Sequence, residues 1–366
     1  MASVTGLEGI VAAETELSFV DGEKGLLIYR GHEAKELALQ TSFEEAAYLL
    51  WNGKLPGDEE LIHFRAQWKA HRVLPAALKA IIDQLPAKSD MMSVLRTAIS
   101  AEGAADGTSR AWPPQPEAAL RYTAMLSVII AYRYRQTEGL PPVEPHPELD
   151  HVANYLYMLT GKLPKQAHVK ALTTYFILAM EHGMNASTFA GRVVLSTQSD
   201  MASALCASIG AMKGPLHGGA PSEVVHMLDE IETKERAEMW LRQQLSSGQR
   251  LMGFGHRIYK TFDPRAEALR IITTGLAAED PWFELATLVE SVAVNLLHEF
   301  KPGRKLYTNV EFYAAAVLRA VSMPKTLFTP TFTAARMVGW TAHLLEQASC
   351  NRIFRPQSVY VGTIPG

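Results

Sequence analysis

The chain is poor in cysteine: among 366 residues only Cys206 and Cys350 occur. No disulfide framework can organise it, and a reducing compartment is the expected home. Long hydrophobic runs are missing as well. The most apolar windows, Met125–Tyr132 and Tyr175–Met180, fall far short of the ~20 residues that span a bilayer. The first residues carry Glu8, Glu14 and Glu16 with no basic stretch, unlike a signal or transit peptide. Neither charge dominates. Thirty-five Lys+Arg against 38 Asp+Glu leave −3, so nothing draws the chain to nucleic acid or to an anionic membrane. Low-complexity tracts and repeats of 20–50 residues are absent, which argues against a disordered scaffold or a solenoid. What remains is 48% hydrophobic and long enough for a large core in roughly two domains. The expectation is a cytoplasmic enzyme with a small-molecule site.

Strand signals are equally scarce. Residues 16–30 place two apolar runs around Asp21-Gly22, a hairpin pattern. Elsewhere the apolar period is helical. Ser42 and Glu45 form a capping box before Ala46, Leu49 and Leu50. Helices are predicted near 58–71, 75–85, 89–101, 116–136, 149–159, 165–182, 200–212, 222–231, 233–247, 264–276, 281–300, 310–321 and 331–348. Proline clusters at Trp112–Pro116 and Leu140–Pro145 break the pattern, because proline lacks the N–H and restricts the residue before it. The fold class is all-α with one small N-terminal hairpin.

Four segments hold polar residues where a core would not want them: Glu181–Thr188, Lys213–Pro221, Met252–Arg265 and Tyr307–Tyr313. His217 follows Gly214-Pro-Leu and precedes Gly218-Gly219. Those glycines let backbone approach a ligand closely, although a turn with an incidental histidine reads the same way. His256 follows Gly253 and Gly255, a glycine pattern without the strand and third glycine of a dinucleotide fingerprint. Glu311 falls in the first turn of a predicted helix behind a Thr308 or Asn309 cap, where the helix dipole favours a carboxylate for purely structural reasons. Arg336 interrupts an apolar helix and needs a partner, structural or bound. Arg355, in Ile353-Phe-Arg-Pro, is by itself an exposed tail residue. No HExxH pattern or close ligand pair marks a metal site.

Taken jointly, these segments resemble the citrate synthase family. Tyr29-Arg-Gly-His, His182 through Thr188, Gly214-Pro-Leu-His-Gly-Gly-Ala, Gly253-Phe-Gly-His with Asp263-Pro-Arg265, Asn309-Val-Glu311, Arg336 and Arg355-Pro occur in the family's order and spacing. They cover roughly residues 6 to 362 and look most like the short bacterial dimeric form. The resemblance implies a two-domain helical homodimer. Its large domain would hold residues 1–218 and 323–366, its small domain 219–322, with the active site in the cleft between them. It implies condensation of acetyl-CoA with oxaloacetate and hydrolysis of the thioester to citrate and CoA, with acetyl-CoA as cosubstrate and no tightly bound cofactor or metal. Glu311 would be the base, His217 the donor to the thioester oxygen and His256 the group polarising the keto carbonyl, with Ser187 orienting His217. His182, Arg265, Arg336 and Arg355 would hold oxaloacetate, Arg355 reaching in from the second subunit. Lys260, Arg304 and Lys305 are candidates for CoA phosphates, and surface solubility explains each equally well.

One position departs from the family pattern. The usual aspartate after Asn-Val is Glu311 here. An added methylene moves the carboxylate by about 1 Å, a misplacement that can lower a rate ~100-fold. Two alternatives therefore stand beside citrate synthesis: 2-methylcitrate synthesis from propionyl-CoA, and a weakly active paralogue that senses oxaloacetate or citrate. A metal hydrolase is a further, poorly supported reading.

Overall fold

The computed structural model describes residues 5–7, 9–105, 112–218, 220–256, 258–275, 281–304 and 306–364. The predicted hairpin is present as β1 (Ser18–Asp21) and β2 (Leu26–Tyr29), paired antiparallel with Ser18 opposite Tyr29. Asp21 Oδ1 accepts from the backbone N–H of Glu23 and Lys24 and closes the turn. A two-residue strand, β3 (His32–Glu33), adds to β2 and was not expected from sequence.

Sixteen α-helices follow among the described residues. They are α1 (Ala34–Gln40), α2 (Phe43–Asn52), α3 (Asp58–Ala70), α4 (Ala76–Gln84), α5 (Met91–Ala105), α6 (Pro116–Thr137), α7 (His151–Thr160) and α8 (Gln166–Ala179). Then come α9 (Ala186–Ser196), α10 (Met201–Lys213), α11 (Ala220–Ile231), α12 (Lys234–Ser246), α13 (Pro264–Thr274), α14 (Pro281–Phe300), α15 (Val310–Ala320) and α16 (Phe328–Ser349). Ser42 and Glu45 form the reciprocal capping box that starts α2, as the sequence predicts. Helices α1 and α9 were not anticipated. The first is seven residues long and has no side-chain cap; the second begins inside the polar segment Glu181–Thr188. No described helix is long and apolar enough to cross a membrane.

Helix α16 lies at the centre, packed on α2, α5, α6, α8, α9 and α10. Trp340, Ala334, Ala335, Met337 and Val338 on it are all buried. Helices α11 to α15 pack largely on one another, and they meet the rest of the molecule where α13 and α15 contact α8 and α13 contacts α1. The four polar segments of the sequence lie around this junction.

Helix α8 ends at Ala179, short of the predicted 182, for a visible reason. The last carbonyls of a helix lack intrahelical donors, and here side chains supply them. Tyr29 Oη donates to the Leu178 and Glu181 carbonyls at 3.2 and 2.8 Å, and Arg336 Nε donates to the Ala179 carbonyl at 2.6 Å. The chain after α8 is thus pinned by β2 on one side and α16 on the other. Gly339 makes the α16 contact possible: a Cβ there would lie 2.1 Å from the Met180 carbonyl oxygen.

Candidate active site

The link between α8 and α9 carries Glu181 and His182, both buried. Glu181 accepts from Ser18 Oγ at 2.8 Å, from the Gly183 N–H and from His343 Nε2 at 3.1 Å. His343 Nδ1 faces Arg192 Nη1 at 2.9 Å. Arginine can only donate, so His343 carries its proton on Nε2 and gives it to Glu181. Arg192 also pairs with Glu346 at 2.7 Å. Burial acts to raise the Glu181 pKa, but His343, Arg336 and Ser18 outweigh it and hold the carboxyl below its ordinary value. The next residue is different. Burial foremost, then the fields of Arg265, His256 and Arg336, hold His182 well below the ordinary histidine pKa. Its Nε2 meets Tyr259 Oη at 3.2 Å.

Glycine shapes the second segment. Gly253 and Gly255 have φ of 86° and 78°, and a Cβ on Gly253 would press into Phe312 and Val224 at 3.0 Å. This loop is stitched to the chain leading into α15. Gly255 N–H donates to the Tyr307 carbonyl at 2.7 Å, Asn309 N–H to the Gly253 carbonyl at 2.9 Å, and Asn309 Nδ2 to the Gly255 carbonyl at 2.8 Å. Asn309 also caps α15, its Oδ1 accepting from Glu311 N–H at 3.0 Å. One residue thereby locks the base candidate to the loop bearing His256.

His256 Nδ1 accepts the backbone N–H groups of Ile258 and Tyr259, each at 3.1 Å. Its proton therefore resides on Nε2. Burial first and the Arg265 field second pull its pKa to about 4, so the ring is a neutral donor at pH 7. Arg265 Nη2 lies 3.3 Å from that Nε2. Two donors so close, with no acceptor between them, are arranged to share an oxygen from a ligand. Asp263 holds the guanidinium through Oδ1 to Nε at 3.0 Å and Oδ2 to Nη2 at 2.9 Å, and its Oδ2 also accepts from Val310 N–H at 3.0 Å. Burial opposes the Arg265 charge; Asp263 outweighs it and raises the pKa further.

Arg336 stacks on Phe332, 4.8 Å from the ring centroid. Apart from its Nε, the guanidinium has no hydrogen-bond acceptor among the described residues. The expected partner is therefore not a protein ion pair. Glu311 completes the set. Burial drives its carboxyl up to about 7, an effect the Arg265 and Arg336 charges only partly offset. His217 lies just after α10, its Nε2 2.7 Å from Ser187 Oγ, and burial with the Arg336 field lowers its pKa to about 4. The Ser187 contact expected from the sequence is thus present.

Arg355 lies apart from this cluster. It is exposed on the irregular segment after α16 and lines a 920 Å³ cavity with Glu14, Glu16, Arg192, Glu346 and Phe354. It makes no hydrogen bond or ion pair to the clustered residues within the described chain. Lys260 and Arg304 are exposed, and Lys305 lies outside the described residues. Sequence reasoning missed Tyr259, Trp340, Glu181 and His343. Two of these had a signal: Tyr259 lies next to the Gly-Phe-Gly-His motif, and Glu181 heads the first polar segment.

The fold and site together define a helical enzyme in which arginines, histidines and one glutamate gather around the junction of α8, α13, α15 and α16. The family model described as citrate synthase, C-terminal domain, matches residues 6–357. The chain is 38% identical to a citrate synthase of Deinococcus radiodurans, across 98% of this chain and 95% of that one. It is also 38% identical to a 2-methylcitrate synthase of Mycobacterium tuberculosis, across 98% and 90%. A citrate synthase of Thermoplasma acidophilum, solved in ternary complex with carboxymethyl coenzyme A and oxaloacetate, superimposes with a TM-score of 0.89 at 31% identity, covering 99% of this chain and 96% of that one. The chain belongs to the citrate synthase family, and is an acyltransferase.

Proposed function

We propose that the cleft condenses acetyl-CoA with oxaloacetate and hydrolyses the resulting thioester to citrate and CoA. The observation that carries this reading is Glu311, a half-buried carboxyl whose pKa is pushed up to about 7 by loss of hydration, within the fields of Arg265 and Arg336. A methyl group next to a thioester is a weak carbon acid and needs a base matched to neutral pH. Glu311 takes the methyl proton while His217 donates to the thioester oxygen, where negative charge develops. The nucleophilic carbon then attacks the keto carbon of oxaloacetate, whose oxygen His256 polarises from Nε2. Arg265 and Arg336 bind the two carboxylates, arginine forks matching carboxylates bidentately, and His182 adds a further contact.

Further assignments belong to the same proposal. The large domain is residues 1–218 and 323–366 and the small domain 219–322, closing on the dianion. The functional unit is a cytoplasmic homodimer in which the partner subunit's Arg355 completes each site. Support comes from the position of Arg355, exposed and away from its own chain's cluster. Lys260, Arg304 and Lys305 contact CoA phosphates. A second reading, propionyl-CoA in place of acetyl-CoA, is favoured by the 2-methylcitrate synthase relative at equal identity. One extra methylene in an apolar pocket changes binding by only ~1–3 kcal/mol. Release of free thiol from purified protein with oxaloacetate and each acyl-CoA in turn tests both. Acetyl-CoA is expected to give the higher kcat/KM. A propionyl-CoA preference establishes the second reading, and no thiol from either removes both.

A further inference from the structure

Asn185, Ser187, Trp340 and His217 form a cluster whose donors and acceptors can be fully counted. Asn185 caps α9, its Oδ1 accepting from Thr188 N–H at 3.1 Å. The atom that takes a backbone N–H is an oxygen, so the amide orientation is settled. That oxygen lies 2.7 Å from Ser187 Oγ and has nothing to donate, so the Ser187 hydroxyl proton lies between them. Trp340 Nε1, a donor only, occupies one Ser187 lone pair at 3.1 Å. The other lone pair faces His217 Nε2 at 2.7 Å. With the hydroxyl proton committed to Asn185, Nε2 must itself carry hydrogen. His217 is neutral at pH 7, so its Nδ1, which has no partner among the described residues, is bare. A bare nitrogen cannot donate to a thioester oxygen.

We propose that Asn185 is a positioning residue that keeps His217 in its Nε2–H form while the cleft is empty, and that acyl thioester binding converts the ring to its Nδ1–H form. This rests on the reading of His217 as the thioester donor. In the conversion one N–H bond breaks at Nε2 and one forms at Nδ1, the proton passing through cleft water. The Ser187 hydroxyl turns from Asn185 Oδ1 to the newly bare Nε2, and the ring's proton count is unchanged. His256 provides an internal contrast, because two backbone N–H groups hold its Nδ1 bare throughout.

Nitrogen NMR of the full-length protein labelled with 15N-histidine reads the tautomer directly, with His217 assigned by its loss in His217→Gln. At pH 8 without ligands the bare nitrogen should be Nδ1. Oxaloacetate with carboxymethyl-CoA should make it Nε2. In Asn185→Ser, which retains a cap oxygen but withdraws the acceptor from Ser187, the unliganded ratio should move toward Nδ1–H by about fivefold, the equivalent of one hydrogen bond. Asn185→Asp keeps both cap and acceptor and should restore the Nε2–H form. A bare Nε2 in the unliganded wild type overturns the proposal, as does an Asn185→Ser spectrum like the wild type. The ligand titration needs no variant, so it stands even if Asn185→Ser does not fold. Because the spectrum is read without turnover, a protein lacking condensing activity would fail the functional reading and leave the unliganded tautomer as found.

Discussion

If Glu311 is the base proposed above, its raised pKa joins catalysis and stability. As a base it must be ionised. The rate at saturating oxaloacetate should therefore fall as pH drops through about 7, with a single protonation on the acid limb. Glu311→Gln keeps the shape but cannot accept a proton, and proton release from labelled acetyl-CoA should slow at least ~100-fold while oxaloacetate affinity persists. The stability effect has the opposite sign. A carboxyl whose folded pKa lies above its unfolded value contributes stability fully below about 4.5, and loses it as pH rises through about 7. The Gln variant should thus gain over wild type as pH rises, by up to about 3 kcal/mol at pH 8, measured by urea unfolding at pH 5 and pH 8. An equal difference at both pH values would place the charge effect elsewhere. Glu311→Asp addresses the departure from the family pattern. The start of α15 is set by Asn309 and by the loop bonds to Gly253 and Gly255, none of which involves the Glu311 side chain. A backbone still arranged for aspartate should turn acetyl-CoA over faster in Glu311→Asp. A fall of up to ~100-fold would show that the cleft has adjusted to glutamate.

At the scale of elements, the site depends on how closely α16 approaches the end of α8. Gly339 sits at that contact, and a Cβ there would lie 2.1 Å from the Met180 carbonyl oxygen and 2.6 Å from Glu181 Oε2. These are a backbone atom and a fully buried carboxylate, which have nowhere to go. Gly339→Ala should destabilise by at least ~1–3 kcal/mol, the usual result of overpacking. It should also weaken oxaloacetate binding, because Arg336 on α16 and His182 beyond α8 are forced apart. Gly210→Ala is the matched control: it too lies in a helix, α10, but a Cβ there meets nothing within 4 Å, so it should be neutral or slightly stabilising. Thermal unfolding and calorimetric titration with oxaloacetate separate the two variants. Equal behaviour would remove the α8–α16 contact as the determinant.

For the whole molecule, the isolated chain brings together every expected oxaloacetate contact except Arg355. If a second subunit supplies it, each site is composite. Arg355→Ala and His217→Ala should each be inactive. After subunit exchange an equal mixture should regain about a quarter of wild-type activity, since half the dimers are mixed and each of those has one intact site. Exchange demonstrated by mass, with no recovery of activity, would mean that Arg355 serves its own chain or none.

Local chemistry is what the amino-acid sequence by itself determined. Asn309 ahead of Val310 and Glu311, the Ser42–Glu45 capping box and the apolar periods act within a turn or two of chain, so they were legible as caps and helices. The family's ordered motifs marked His217, His256, Glu311, Arg265 and Arg336. Helices α1 and α9 escaped because one lacks a side-chain cap and the other starts among residues suited equally to a loop. Only the tertiary structure decided which ordinary core residues serve the site. Trp340 donates to Ser187 across 153 positions, Tyr259 meets His182 across 77, and His343 reaches Glu181 across 162. Nothing in residue type separates such a tryptophan or histidine from one that merely fills space. The same holds for charge. A glutamate in a first helical turn is ordinary in sequence, and the Glu311 carboxyl is pushed toward neutrality because the folded chain strips away more hydration than Arg265 and Arg336 offset. Desolvation belongs to the assembled cleft, where segments far apart in the chain close around one carboxyl group.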